Sequence, residues 1–199
     1  MSLAQIATNV NALKALNALN KINTDLSTHQ LRLATGQKVN SAADNPAAWQ
    51  IGTSLQATSA GLSQALSNVG DAQSMLGIAQ GGQQEILNIL MTMQTEVTQA
   101  ANDTLGATQR TAISNALTDQ ANEITAIVGQ TTYNGMSLLD GSFTSKSLQI
   151  GAATTDTVTI GISQNHSAAS LGVASLTVST SAQASVALAA INAAIALPC

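Results

Sequence analysis

Apolar positions fall at helical spacing along most of this chain. Ile6, Val10, Leu13, Leu16, Leu19, Ile22 and Leu26 recur three or four residues apart, which reads as one apolar stripe on a helix from about Gln5 to Ala34. The pattern then stops for a dozen positions in "LRLATGQKVNSAADNPAAWQIG". Gly36 fits a helix C-terminus, with Lys38 near the negative end of the dipole. Asn40 and Asp44 lie in the polar stretch that follows, and Asn45-Pro46 is a restart, Asn as N-cap and Pro at the first helical position. The stretch therefore predicts a helix stop, an extended connector and a helix start.

A second long helix is predicted from Pro46 to about Ala101. Ile51, Leu55, Leu62, Leu66, Val69 and Leu76 mark its first half, and Ile86, Leu90, Met93 and Val97 its second. Gly81-Gly82 is the place where a break is weighed. Continuity is favoured because the stripe resumes near the same phase. Asn102 to Thr108 reads as a connection, and a third helix follows to about Val128, with Ile113, Leu117, Ile124 and Val128 on one face and Gly129 as its end. Tyr133-Asn134-Gly135 is a turn. The period then changes from helical to alternating. "SLQIGAATTDTVTIGIS" predicts a hairpin of 147–151 and 156–162, "SLTV" at 175–178 is a candidate further strand, and Ser181 caps a last helix ending near Pro198-Cys199. The fold class is mainly α, a long-helix bundle or coiled-coil-like rod with a small β-hairpin region.

Composition sharpens this picture. Aromatic residues are 2% and charged residues 8% of the chain, against a usual charged share of about 25%. Small aliphatic residues suit thin, closely packed helices, and sparse charge leaves little repulsion between copies. A net charge of −4 with a pI near 4.8 and no basic stripe argues against nucleic acid. No apolar run approaches the roughly 20 residues of a membrane span. The start lacks a secretory signal, and the single cysteine, Cys199, excludes an intrachain disulfide. The chain is therefore expected to be cytosolic, or exported without a cleaved signal.

Candidate chemistry is thin. His29 and His166 lie far apart without metal-ligand spacing and read as solvated surface residues. Gly81-Gly82 has no following Lys-Ser/Thr and reads as a helix irregularity, not a phosphate cradle. The triplets at Asn102 and Asn165 fit the N-glycosylation pattern, but so short a pattern arises by chance. The carboxylates are dispersed. No catalytic, metal or cofactor residue is expected, and the chain does not read as an enzyme. The first helix has no obvious neighbour, and an isolated stripe is marginal in water, so the pattern calls for a partner.

Several ordered stretches resemble bacterial flagellin: the opening "IATNVNALKALNALNK", the connector quoted above, "AGLSQALSNVGDAQSML", "GQTTYNGMSLLDG" and "LQIGAATTDTVTIGIS". The resemblance implies an inner-tube helix at 1–35, a spoke connector at 36–45, an outer helical domain at 46–196 holding the hairpin at about 147–162, and a tail at 197–199. It implies a structural subunit of the extracellular flagellar filament, self-assembling into a hollow helical propeller for motility. Implied partners are other flagellin subunits, an export chaperone, the type III export apparatus, and cap and junction proteins, with no nucleic acid and no membrane span. A hook–filament junction protein and a secreted surface binding module on the same scaffold are the alternatives. Two departures stand out. "SAQASVALAAINAAIALPC" resembles only the start of the family's second conserved half, so a truncated chain is expected. Many members also carry a basic patch in the axial subunit contact, used by a vertebrate Toll-like receptor. Its positions here are Thr92, Met93, Gln94, Thr95 and Glu96, without either arginine.

Overall fold

A computed structural model describes residues 9–197 of the chain. Ile6, expected in the first stripe, and residues 198–199 of the expected tail lie outside the described residues. The chain forms two compact units, one up to Ala60 and one from Gly61.

Helix α1 spans Val10–Thr35. Asn9 caps it, its side chain accepting from the Ala12 N–H at 3.1 Å. Gly36 ends it in the left-handed conformation, φ 68°, where a side chain would be strained. A compact polar loop follows. The Asp44 carboxylate accepts from the N–H groups of Asn40 and Ser41 at 3.1 and 3.3 Å. The Asn40 side chain accepts from the Thr35 hydroxyl at 2.7 Å. The connector is thus folded on itself by its own Asn and Asp side chains, although sequence alone suggested an extended one.

Asn45 then starts α2, Pro46–Ala100, its side chain accepting from the Ala48 N–H at 3.0 Å. The helix is unbroken through Gly81-Gly82, but not because the stripe keeps its phase. From Gly61 onward the buried positions are Ala65, Met75, Ala79, Ile86, Ile89, Leu90, Met93, Val97 and Ala100. At 3.6 residues per turn, Leu76, Leu62 and Leu66 lie from about a quarter to nearly half a turn away from their centre. Met75 and Ala79, not the neighbouring leucines, carry the core face toward the helix start.

Helix α3 spans Ala107–Gln130 and buries Arg110, Leu117, Ala121, Ile124 and Val128. Gly129, expected as its end, is inside it. The helix closes at Thr131, whose N–H and hydroxyl both donate to the Ile127 carbonyl at 2.8 and 2.7 Å. Two small hairpins follow. Strands β1 (Thr132–Tyr133) and β2 (Met136–Ser137) pair across Asn134 and Gly135, whose φ values of 49° and 75° suit a tight two-residue turn. Strands β3 (Lys146–Gln149) and β4 (Thr157–Ile160) pair with Lys146 opposite Ile160. This hairpin is shorter than expected. Residues 175–178, expected as a further strand, pair with neither hairpin. The segment is held instead by the fully buried Val178.

The last helix, α4, spans Ser181–Ile195. Thr180, not Ser181, is its cap, accepting from the Gln183 N–H at 3.2 Å. One buried cluster unites Ile86, Leu90, Met93 and Val97 of α2 with Leu117 and Ile124 of α3 and with Ala187 and Ile191 of α4. Leu138, Leu139 and Phe143 close it. Buried alanines of all three helices, Ala79, Ala121 and Ala187 among them, belong to the same cluster.

Candidate assembly surfaces

The residues expected to face partners are mostly exposed. Val10, Leu13, Leu16, Leu19, Ile22 and Leu26 are all between 50% and 63% exposed. None of the described residues up to Ala60 is buried. The expected single stripe is a broad arc. From Val10 to Ile22 the apolar positions are three apart, and each step of three turns back by about 60° on a 3.6-residue helix. Lys14, Lys21, Asp25 and Arg32 instead fall within about 40° of one another on the remaining face. An arc this wide exceeds the seam of a two-stranded coiled coil and is covered only by more than one neighbour.

The residues expected in the outer core divide. Ile86, Leu90, Val97, Leu117 and Ile124 are buried, and Ile113 packs partly buried against the cluster. Ile51, Leu55, Leu62, Leu66 and Leu76 are exposed, from 42% at Leu76 to 74% at Leu66. The first two belong to the unit without buried residues. Leu62 and Leu66 are turned away from the core face and make a second exposed apolar surface, whereas Leu76 lines a hollow with residues 161–164 and His166.

The positions expected in an axial contact are chemically quiet. The Thr92 and Thr95 hydroxyls donate to the carbonyls of Asn88 and Met91 in their own helix, at 3.0 and 2.9 Å. Gln94 donates to the Asn192 side chain of α4. Glu96 accepts from the Gln120 amide of α3 at 3.1 Å. These side chains are committed within the fold, and no cation is presented there.

Two polar centres escaped the sequence reading. Arg110 is 6% exposed. Its guanidinium donates to the carbonyls of Ala100, Asn102 (2.8 Å) and Leu105 (3.4 Å). It thereby satisfies the open C-terminus of α2 from the first turn of α3. The signal was an isolated arginine in a chain with only six basic residues. The second is His166, expected at the surface but 7% exposed. The Gln164 carbonyl, 3.1 Å away, can only accept, so Nδ1 donates to it. Nε2 then accepts from the Gln83 amide at 3.4 Å. Its backbone N–H binds the Leu139 carbonyl at 2.9 Å. This buried ring fastens the segment after β4 to α2. Among the described residues no cluster of His, Cys, Asp or Glu could hold a metal, and no helix is long and apolar enough to cross a membrane.

Comparison with known proteins places this architecture. Residues 6–144 match the model of the bacterial flagellin N-terminal helical region. The chain is 38% identical over 157 residues to "Flagellin A" of Vibrio anguillarum, covering 79% of this chain and 41% of that protein. It is 36% identical over 167 residues to "B-type flagellin" of Pseudomonas aeruginosa, covering 84% and 34%. It thus spans about two fifths or less of the length of these relatives. Among solved structures, Bacillus cereus flagellin is similar at 31% identity and a TM-score of 0.54, covering 63% of this chain and 72% of that one. A connector fastened by Asp44, a long α2 closed by Arg110 and two short hairpins on a helical core accompany a family match over more than half of the chain, and the chain belongs to the flagellin family by its N-terminal helical region.

Proposed function

We propose that the chain is a structural subunit of the extracellular flagellar filament, acting by self-assembly and not by catalysis. The observation that carries this is the apolar arc of α1, with Leu13, Leu16, Leu19 and Ile22 all at least half exposed. Fully burying such a side chain is worth about 1.5–3 kcal/mol. Several in a row are a strong drive to associate, and the width of the arc favours a lattice over a pair. In this reading α1 is the inner-tube helix, residues 36–45 are the spoke, and the outer domain begins at Pro46. The exposed Leu62 and Leu66 surface meets further helices. Partners are other flagellin subunits, an export chaperone with the type III export apparatus, and the cap and junction proteins.

The test is immunogold labelling of native surface filaments with antibody raised against residues 107–130, paired with mass spectrometry of the sheared filaments. Label along the whole filament is expected. A variant with Leu13, Leu16 and Leu19 replaced by Ser should leave the filament unlabelled. Filaments free of this chain, or full incorporation of the triple variant, would overturn the reading.

A further inference from the structure

Charge is unevenly distributed along the chain. Residues up to Ala60 hold four basic and two acidic residues, and those from Gly61 hold two basic and eight acidic. One of the latter two basic residues, Arg110, is buried on backbone carbonyls. In the first unit an open hollow of about 290 Å³ lies where the connector meets the start of α2, between Lys38 and Trp49. Gly52 forms part of its wall, and a Cβ there would meet nothing within 4 Å. Trp49 is 38% exposed and supplies an apolar side. Arg32 lies 4.0 Å from Asp44, whereas Lys38 makes no ion pair among the described residues. A lysine and an indole that line one hollow offer a carboxylate a cation with apolar surface nearby, where attraction is stronger than in open water.

Asp140 and Asp156 accept from nearby N–H groups, Glu96 from Gln120 and Glu85 from Asn88, while Asp71 and Asp103 are single exposed carboxylates with no second one three or four residues away. Asp119 and Glu123, exposed on α3, make no hydrogen bond or ion pair among the described residues. They are four apart on the face opposite Leu117, Ala121 and Ile124, where like charges repel. An external cation would relieve that repulsion. We propose that the Lys38–Trp49 hollow receives the Asp119–Glu123 face of a second copy of the chain. This rests on the self-assembly reading and names one of its contacts. Joining one surface to a different surface leaves one of each free on every pair, so the contact propagates instead of closing.

Trp49 is the only tryptophan, so intrinsic emission reports on the hollow. The experiment follows the emission maximum and the sedimentation coefficient of the chain over a concentration series. A blue shift that grows with association is expected, reversed by ~0.5 M salt, where screening shortens the reach of exposed charges to a few ångströms. Lys38→Glu, and Asp119→Lys with Glu123→Lys, should each weaken association at least tenfold. The chain carrying all three substitutions should regain it. All three positions are exposed, and circular dichroism verifies the fold. Association of the wild-type chain with Trp49 emission unmoved and no effect of salt would overturn this contact while leaving self-assembly standing. A charge-swapped chain that stays monomeric would also overturn it. A wild-type chain that is monomeric throughout would overturn the contact, while the self-assembly reading stands or falls with the labelling of native filaments.

Discussion

Gly82 lies against Thr131: a Cβ built on Gly82 would stand 2.6 Å from the Thr131 hydroxyl oxygen and 2.9 Å from a methyl of Leu139. Neither neighbour can yield. The hydroxyl is bonded to the Ile127 carbonyl at 2.7 Å, and Leu139 is fully buried. Next to it, Gly81 has nothing within 4 Å of its Cβ position. Gly82→Ala should therefore cost about 1–3 kcal/mol through overpacking. Gly81→Ala should stabilise by up to about 1 kcal/mol through helix propensity. Urea denaturation of the two variants checks this, and equal shifts of the same sign would refute the close approach of α2 to the end of α3.

Arg110 yields a second prediction. Its guanidinium satisfies three carbonyls at the end of α2 and in the following connection. Arg110→Ala should lower stability by about 2 kcal/mol or more, since hydrogen bonds to charged groups are the strong ones. Arg110→Lys should recover less than half of that, because an ammonium is a point donor and cannot match a fixed fork. Thermal midpoints of the three proteins decide it, and a Lys variant equal to wild type would show that charge alone suffices.

Legibility in the sequence followed the reach of the physics involved. Gly36, Asn45 and Pro46 act on the backbone next to them, and they alone located the C-terminal end of α1 and the start of α2. The hairpin turn at Asn134-Gly135 was readable for the same reason, since its backbone demands those residue types. The buried face of α2 was readable in its second half, where Ile86, Leu90, Met93 and Val97 are all in the core, but not in its first. Leucines at Leu62, Leu66 and Leu76 outweigh Met75 and Ala79 in any count of hydrophobicity, yet which face is buried is set by the shape of α3 and α4. Gly82, Arg110 and His166 were misjudged or missed because their reasons lie on partners far along the chain, at Thr131, at Ala100 and at Gln83. Sequence spacing holds no trace of such contacts.

Acid should weaken the turn after β2. The Ser142 hydroxyl, and then its backbone N–H, hold the Asp140 carboxyl below its ordinary value of 3.8. A depressed carboxyl contributes stability that is fully present above the ordinary value and is lost as the pH falls through the lowered one. Asp140→Asn should therefore reduce the slope of stability against pH below about pH 4, with little change of that slope near neutrality. Chemical denaturation at a series of pH values measures it, and an unchanged acid slope would refute a role for the Ser142 bonds.

Glu96 and Gln120 join α2 to α3 by a single bond of 3.1 Å, but Glu96 Oε2 and Gln120 Oε1 are both buried without a partner. Each buried acceptor without a donor costs about 1–3 kcal/mol. The pair is thus half satisfied, and its removal separates two effects. Glu96→Leu alone removes one orphaned oxygen and strands the whole Gln120 amide, so it should be destabilising. Adding Gln120→Leu removes the stranded amide and fills the same space with apolar atoms, which can be neutral or favourable. The double variant should therefore be more stable than the single one by at least about 1 kcal/mol, and as stable as wild type or more so. Guanidinium titrations of all four members of the cycle test the ordering. A double variant less stable than Glu96→Leu would mean that the Gln120 amide finds another donor and acceptor once Glu96 is gone, and the view of this pair as an incomplete clamp would have to be given up.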